Sequence, residues 1–328
     1  MLERLRHPWP DDRAERTLGA VSLILCAVVI AMVVFVAVKA WPTFEHDGLS
    51  WIGPGGNLKD QFEAMQATGA HPPASAFRFH AWPIVYGTLL TTALAVVIAL
   101  PLALFSSIFI VELAPRPLRT IAIPVIRLLA SVPSVVYGLI GVLVLAPFVG
   151  NHIITNGEKA AAANEVQLTG ESLGVTVLIL AVMIAPIMVA LICEALAAVP
   201  RAWREGAIAL GLNPLRAILA VVVRAARPAI VAAAVLATAR ALGEAIMIAM
   251  LSGKNFFSPN FTHGVASFFF EPARTLASTI VSFAEGASAP ALGSALYACA
   301  LLLLFSALAL SVAGYLIKLP LRKYQVRA

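Results

Sequence analysis

Arg240 and Glu244 are opposite charges four residues apart in the otherwise apolar stretch ATARALGEAIM. Each charge costs about 2.5 to 3.5 kcal/mol at the centre of a membrane-spanning helix, whereas a Leu, Ile, Val or Phe returns only about 0.3 to 0.6 kcal/mol. A spacing of four places both side chains on one helix face, where they can pair into a nearly neutral polar site. This pattern predicts either a salt bridge that joins two helices or a polar point on the path of a solute.

A second informative segment, residues 197–228, contains the stretch PRAWREGAIALGLNPLR. Pro200 suits the first turn of a short helix, and Gly211 suits its left-handed end. Asn213 followed by Pro214 is typical of the start of another helix. The segment is therefore predicted to hold a short helix, a tight break and a second helix that enters the membrane.

The short helix is predicted to be amphipathic. Trp203, Ala207 and Leu210 fall on one side of it, whereas Arg204 and Glu205 face elsewhere. An amphipathic helix outside the bilayer needs a surface that covers its apolar side. That surface is either the lipid headgroups or a cytoplasmic partner protein.

Composition places these segments in a membrane protein. The chain has 328 residues, of which 60% are hydrophobic and 12% are charged. Six apolar runs reach the roughly 20 residues that a spanning helix needs, and strand-like alternation is absent. We therefore predict an all-α integral membrane protein with spans at residues 18–40, 84–113, 121–149, 175–196, 229–253 and 291–317.

Basic residues set the predicted orientation. With a cytoplasmic N-terminus the inner segments hold 15 Lys and Arg residues and the outer side holds six, counting Lys39 at the outer end of the first span. Both termini are then cytoplasmic, and this distribution explains the net charge of +6 without a nucleic-acid partner. The predicted division is an N-terminal segment 1–17, a transmembrane domain 18–317 with outer loops 41–83, 150–174 and 254–290, and a tail 318–328.

Catalytic and metal-binding patterns are missing from the sequence. Cys26, Cys193 and Cys299 lie in apolar runs and suggest neither a disulfide framework nor a metal site. No G-x-x-x-x-G-K-[ST] loop occurs, so the chain is not expected to hydrolyse ATP. We expect a protein that is not an enzyme, with no cofactor of its own.

The remaining charges near the predicted spans have simpler interpretations. Arg127 is expected to extend its guanidinium to the headgroups, and Glu112 is expected to pair with Arg116 at the interface. Glu194 lies near an inner boundary and suggests a structural role. Loop 254–290 contains an apolar stretch too short to span, which is either a re-entrant helix or a loop packed on the bundle.

Prolines interrupt or border the second and third predicted spans. Pro83, Pro101, Pro124 and Pro133 are the residues concerned. A proline inside a helix frees a carbonyl one turn back, and Ser131 and Ser134 beside Pro133 can satisfy it. The sequence leaves open whether the result is a packing kink or a bend that shapes a pathway.

Glu205, Gly206, Ala207 and Gly211 resemble the EAA…G loop of ABC importer permeases. In that family the loop inserts its short helix into a cleft of the ATPase subunit. The chain departs from the pattern at Gly206, where alanine is usual, and at Arg224, where a proline is usual; Pro228 arrives four residues later.

The segments WPIVYGTLLTT, VELAP, LLASVPSVVYGLIGVLVLAPF and RALGEAIMIAMLSG are similar in order and spacing to phosphate importer permeases, more to the PstC than to the PstA type. The resemblance implies a type I importer permease fold in a bacterial inner membrane. It implies a PstA-like permease, a PstB-like ATPase dimer that holds ATP and Mg²⁺, and a PstS-like phosphate-binding protein as partners.

If the solute is inorganic phosphate, Arg240 offers a planar fork of donors to two oxygens. Glu244, when ionised, accepts the hydrogen of a protonated phosphate oxygen, which sulfate lacks. An importer for another oxyanion, a self-contained channel or secondary transporter, and a membrane scaffold are the alternatives.

Overall fold

The fold is all-helical over the part of the chain that the structure describes. The computed structural model describes residues 12–69, 71–162, 168–253, 256, 258–259, 261 and 264–318. Most of the predicted N-terminal segment and all but Lys318 of the predicted tail lie outside these residues. The α-helices are α1 Asp12–Asp47, α2 Leu58–Ala67, α3 Trp82–Ile108, α4 Arg116–Ala130, α5 Ser134–Ile140, α6 Ala146–Phe148, α7 Asn156–Ala162, α8 Leu173–Ala197, α9 Arg201–Ala209, α10 Pro214–Ala217, α11 Arg224–Leu242, α12 Ile246–Leu251, α13 Val265–Phe270, α14 Leu276–Phe283 and α15 Pro290–Lys318.

Several helices are extended by π-helical segments, in which each turn holds an extra residue. These segments are Phe109–Leu113 after α3, Gly141–Leu145 and Val149–Ile153 on either side of α6, and Ile218–Val223 between α10 and α11. Short 3₁₀ helices occur at Ser50–Ile52, Ala74–Phe77 and Ala284–Ser288. The chain thus runs with little interruption from α5 to Ile153 and from α10 to α11.

Six helical stretches among the described residues are long and apolar enough to cross a membrane, as the sequence predicts. They are Arg16–Asp47, Ala74–Leu113, Ser134–Ile153, Leu173–Ala197, Pro214–Leu242 and Pro290–Ile317. The protein is therefore an all-α, multi-pass membrane protein.

Two of the predicted spans are wrong in their limits. The third begins at Ser134 rather than at residue 121, because α4 is a separate helix that ends at Ala130. Pro133, which disfavours helical geometry in the residue before it, stands at the start of α5. The fifth stretch runs over Pro214–Leu242 rather than residues 229–253.

The centre of the bundle is built on α8, the most buried of the six stretches. It packs along α3, which presents small buried residues one turn apart at Ala95, Ala99 and Ala103. Small side chains let two helices approach closely in a membrane. The Ser107 hydroxyl, also on α3, donates to Ala103 O at 2.7 Å and to Val189 O of α8 at 3.2 Å.

A second apolar cluster lies where the segment between α1 and α3 meets α15. Trp51 and Phe79 stack at 5.3 Å between ring centroids, and Phe62 contacts both Phe79 and Phe283. These rings pack with Leu292 at the start of α15. By contrast, the apolar residues of α1 are largely exposed on the chain, as expected for a helix that faces lipid.

Candidate functional site

The helix that carries Arg240 ends before it reaches Glu244. α11 stops at Leu242, Gly243 follows as its C-terminal cap, and α12 begins at Ile246. The prediction that Arg240 and Glu244 lie on one face of a continuous helix is therefore wrong. Within a helix, glycine is less favourable than alanine by about 1 kcal/mol of helix stability. The position of Gly243 directly after Leu242 agrees with the end of α11 there.

Each of the two charges lies at a helix end whose dipole favours its sign. Arg240 lies in the last turn of α11, where the helix dipole favours a cation. Glu244 precedes α12, and its Oε1 accepts the Met247 N–H at 3.4 Å. Each charge therefore has a favourable electrostatic environment without the other. Among the described residues no salt bridge joins the two.

The Arg240 residue is exposed on the chain, and Glu244, four residues later in the sequence, is half-buried. Arg240 follows Arg227, which lies at the beginning of α11, by 13 residues. That separation is about 20 Å at 1.5 Å per residue. An arginine this far along a span faces a polar cavity or another protein rather than lipid.

A second interrupted helix packs against this break. The chain turns between α4 and α5 at residues 131–133, and α5 lies against α12. A Cβ added to Gly138 of α5 would come within 2.9 Å of Met250 Sδ and 3.3 Å of Met247 Cα. The absence of a side chain at Gly138 therefore permits the close contact of α5 with α12. The bend at Pro133 is thus followed directly by α5, the helix that packs against α12 beside the break between α11 and α12.

The short helix predicted in segment 197–228 is confirmed as α9. Leu212 N–H donates to Ala207 O at 3.2 Å and Gly211 N–H donates to Ile208 O at 2.9 Å, which is a Schellman motif. Gly211 has φ +89°, the left-handed conformation that glycine favours. The Asn213 side chain accepts the Leu215 N–H at 2.9 Å, so the predicted start of the next helix is also confirmed.

The predicted apolar side of α9 is only partly covered by the chain. Ala207 is buried, while Trp203 and Leu210 are 49% and 85% exposed. Two of the three apolar residues therefore remain open to the lipid or partner surface that the sequence predicts. Glu205 is exposed, and a Cβ added to Gly206 would have no atom within 4 Å. The exposed surface of α9, called its outer side below, thus includes an indole, an aliphatic residue and a carboxylate.

The inner side of α9 is held by an ion pair. The Arg204 Nη1 donates to Glu112 Oε2 in the π-helical segment Phe109–Leu113. Glu112 is therefore not paired with Arg116 as predicted. The two partners are 92 residues apart in sequence, so spacing rules that find pairs within one helix do not find this one.

Arg127 also has a partner that the sequence did not indicate. Its Nη2 lies 3.2 Å from Glu194 Oε1, and both side chains are more than 60% exposed. The pair joins α4 to α8 and lines a cavity of about 200 Å³ together with Arg119 and Cys193. Arg127 lies on α4, a helix that is separate from the third span. Its guanidinium bonds to a carboxylate of the chain.

Comparison with known families identifies the chain. Residues 99–319 match the family described as binding-protein-dependent transport system inner membrane component. The chain belongs to this family. In a binding-protein-dependent transport system, a membrane component works with other subunits. The self-contained channel, the secondary transporter and the scaffold are thereby set aside.

Several curated inner membrane components are similar to this chain. The probable ABC transporter permease protein YqgH of Bacillus subtilis is 33% identical over 249 residues, 76% of this chain and 74% of the relative. The phosphate transport system permease protein PstC of Mesorhizobium japonicum is 32% identical, covering 73% and 74%. A probable PstC of Methanocaldococcus jannaschii is 28% identical, covering 89% and 90%.

Solved structures of ABC transporters show the same fold. A chain of a bacterial alginate ABC transporter, crystallised with a periplasmic protein carrying an alginate pentasaccharide, has a TM-score of 0.55 at 13% identity. The match covers 96% of this chain and 98% of that chain. A second alginate importer structure has a TM-score of 0.52 at 14% identity. The predicted importer permease fold is confirmed.

Proposed function

We propose that the chain is a PstC-type permease subunit that forms half of the pathway of an ATP-driven inorganic phosphate importer. Similarity to curated PstC proteins supports the substrate. The observation that carries the proposal is the break between α11 and α12, which leaves Arg240 exposed and Glu244 half-buried beside it. Transporters often bind charged substrates at such discontinuous helices.

The two side chains suit the two ends of a monoprotonated phosphate. The Arg240 guanidinium donates to two phosphate oxygens at once. Glu244 Oε1 already faces the Met247 N–H, so Oε2 is the atom that accepts the hydrogen of the protonated oxygen. Sulfate carries no such hydrogen at neutral pH, and Glu244 would repel it.

A second permease is expected to complete this site. Arg240 is exposed on the chain, and an exposed arginine within a span needs a polar surface opposite it. A PstA-like permease supplies that surface in our proposal. The phosphate pathway then runs between the two permeases, and lipid surrounds the outer helices such as α1.

The outer side of α9 is the proposed contact with the ATPase. Glu205, Ala207 and Gly211 resemble the family's coupling loop, in which Gly206 replaces the usual alanine, and Gly211 fixes where the helix ends. Trp203 and Leu210 supply exposed apolar area for a partner cleft. A PstB-like dimer holds ATP and Mg²⁺, a PstS-like protein delivers phosphate from outside, and both termini lie in the cytoplasm of a bacterium.

The proposal is tested by Arg240→Gln in the complete complex, with Arg127→Gln as the matched control. Radioactive phosphate uptake into vesicles should be lost in R240Q while all subunits still copurify. R127Q should retain uptake, because the Arg127 pair is exposed at the surface. Uptake by R240Q at the wild-type rate would contradict the assignment of Arg240, and equal uptake of sulfate by the wild type would contradict that of Glu244.

A further inference from the structure

The Arg274 guanidinium lies against the turn that follows α12. It lies between α13 and α14, and its Nε donates to Gly253 O at 3.3 Å, just after α12. The guanidinium carbon lies 4.3 Å from the centre of the Phe256 ring. Among the described residues no salt bridge reaches Arg274. Its Nη1 is buried and has no hydrogen-bond acceptor there.

Ser252 supplies a second buried polar atom, one residue before the carbonyl that Arg274 contacts. It directly precedes Gly253, whose carbonyl accepts from Arg274, and it is 1% exposed. Its N–H donates to Ile248 O, but its hydroxyl has no partner within the described part of the chain. A buried hydroxyl without a partner costs about 1 to 3 kcal/mol. Arg274 Nη1 and the Ser252 hydroxyl are thus two buried polar groups without partners among the described residues, and both residues contact or belong to the turn after α12.

The backbone holds these groups firmly in place. The space beside Gly87 of α3 is filled by Arg274 O, which would lie 2.0 Å from an added Cβ. Two residues further on, Leu276 N–H donates to Thr88 Oγ1 at 2.9 Å. Because the segment contacts α3 at Arg274 and again at Leu276, the bundle sets the position of the Arg274 backbone.

Burial makes an anion the natural complement of Arg274. Burial lowers the pKa of Arg274, because the guanidinium has lost part of its hydration. A desolvated cation without a counter-ion is costly, and an anion that accepts from the remaining N–H groups offsets this cost. A tetrahedral oxyanion has oxygens for both Nη1 and the serine hydroxyl.

We propose that Arg274 and Ser252 form a second oxyanion site that takes inorganic phosphate before it reaches Arg240 and Glu244. The site rests on the proposed phosphate transport and on the prediction that loop 254–290 is an outer loop. Ser252 and Glu244 lie at opposite ends of the six-residue helix α12, which spans about 9 Å. Phosphate released by the binding protein is held here and then moves along α12 to the break.

Ser252→Ala is the most informative variant in the assembled importer. It removes only a hydroxyl that bonds to no described atom, so the fold should be as stable as the wild type or more so. Loss of a hydrogen bond to a charged ligand should raise the half-saturating concentration for uptake about tenfold. Arg274→Gln should raise it further, and Arg274→Lys should restore part of the loss.

Binding is measured separately by labelling Ser252→Cys after Cys26, Cys193 and Cys299 are replaced by alanine. A negatively charged thiosulfonate should react faster than a positively charged one, and phosphate should slow that reaction. Adding Arg274→Gln should abolish both effects. The same protection should persist with Arg240→Gln, so failure of this site is distinguishable from failure of the Arg240 assignment.

Three results would overturn the second site. One is wild-type half-saturation in both S252A and R274Q, which would make the two groups structural. Another is labelling of Ser252→Cys that phosphate does not slow, whatever the uptake. The third is loss of the second permease from purified R274Q with normal S252A, which would show that Arg274 pairs with an acidic residue of that permease.

Discussion

Arg204 of α9 donates a charged hydrogen bond to Glu112 at the π-helical end of the second span. Glu112 is 6% exposed and Arg204 is 32% exposed, so the pair is shielded from solvent on the carboxylate side. The bond connects the proposed ATPase-binding helix to a span that packs along α8, at the centre of the bundle. We therefore expect this bond to be a direct contact through which a movement of α9 acts on the membrane domain.

Glu112→Gln should uncouple ATP hydrolysis from phosphate uptake. The amide keeps the shape of the side chain, but it replaces a bond to a charged group worth about 1.5 to 3 kcal/mol with a weaker neutral one. Uptake per ATP hydrolysed should fall severalfold in reconstituted complexes, while the complexes still assemble. An unchanged ratio in E112Q would show that the pair carries no coupling.

Arg127→Gln should have little effect on stability. Arg127 and Glu194 are both more than 60% exposed, and exposed pairs contribute about 0.2 to 1 kcal/mol. The midpoint of thermal unfolding should therefore stay within about a degree or two of the wild type, whereas E112Q should lower it clearly. A larger loss in R127Q than in E112Q would reverse the ranking that burial predicts.

Gly211→Ala and Gly206→Ala should have opposite effects on α9. Gly211 has φ +89°, and a side chain in a left-handed conformation costs about 1 to 2 kcal/mol. Gly206 lies within the helix with open space around its Cα, so alanine should stabilise α9 by up to about 1 kcal/mol. The amount of ATPase that copurifies should fall in G211A and should be unchanged or higher in G206A. Equal retention in both variants would contradict this account of the helix end.

Local signals in the sequence predicted the helix ends in segment 197–228 well. Pro200, Gly211 and Asn213 act through their own backbone conformation or neighbouring N–H groups, so their roles depend little on tertiary structure. Length and composition likewise predicted six spans and the all-α fold.

The sequence did not predict the contacts that tertiary packing sets. The Arg240 and Glu244 spacing is ideal for one helix, but Gly243 and the N-terminus of α12 give each charge a separate environment. Glu112 has Arg116 four residues away, yet its partner Arg204 approaches from another helix. Nothing in the sequence around Arg274 distinguishes a buried arginine from a solvent-exposed one in a loop.

Gly87→Ala should disturb phosphate uptake through Arg274, although Gly87 is far from Arg240 in sequence. An added Cβ would lie 2.0 Å from Arg274 O, so either α3 or the segment around Arg274 must shift. Overpacking of this kind costs about 1 to 3 kcal/mol, and the shift moves the guanidinium away from Ser252. The half-saturating phosphate concentration should rise in G87A as in R274Q, and the thermal midpoint should fall. Gly19→Ala is the control, since an added Cβ there has no atom within 4 Å. If G87A lowers the thermal midpoint but leaves half-saturation unchanged, the position of Arg274 does not determine how phosphate enters.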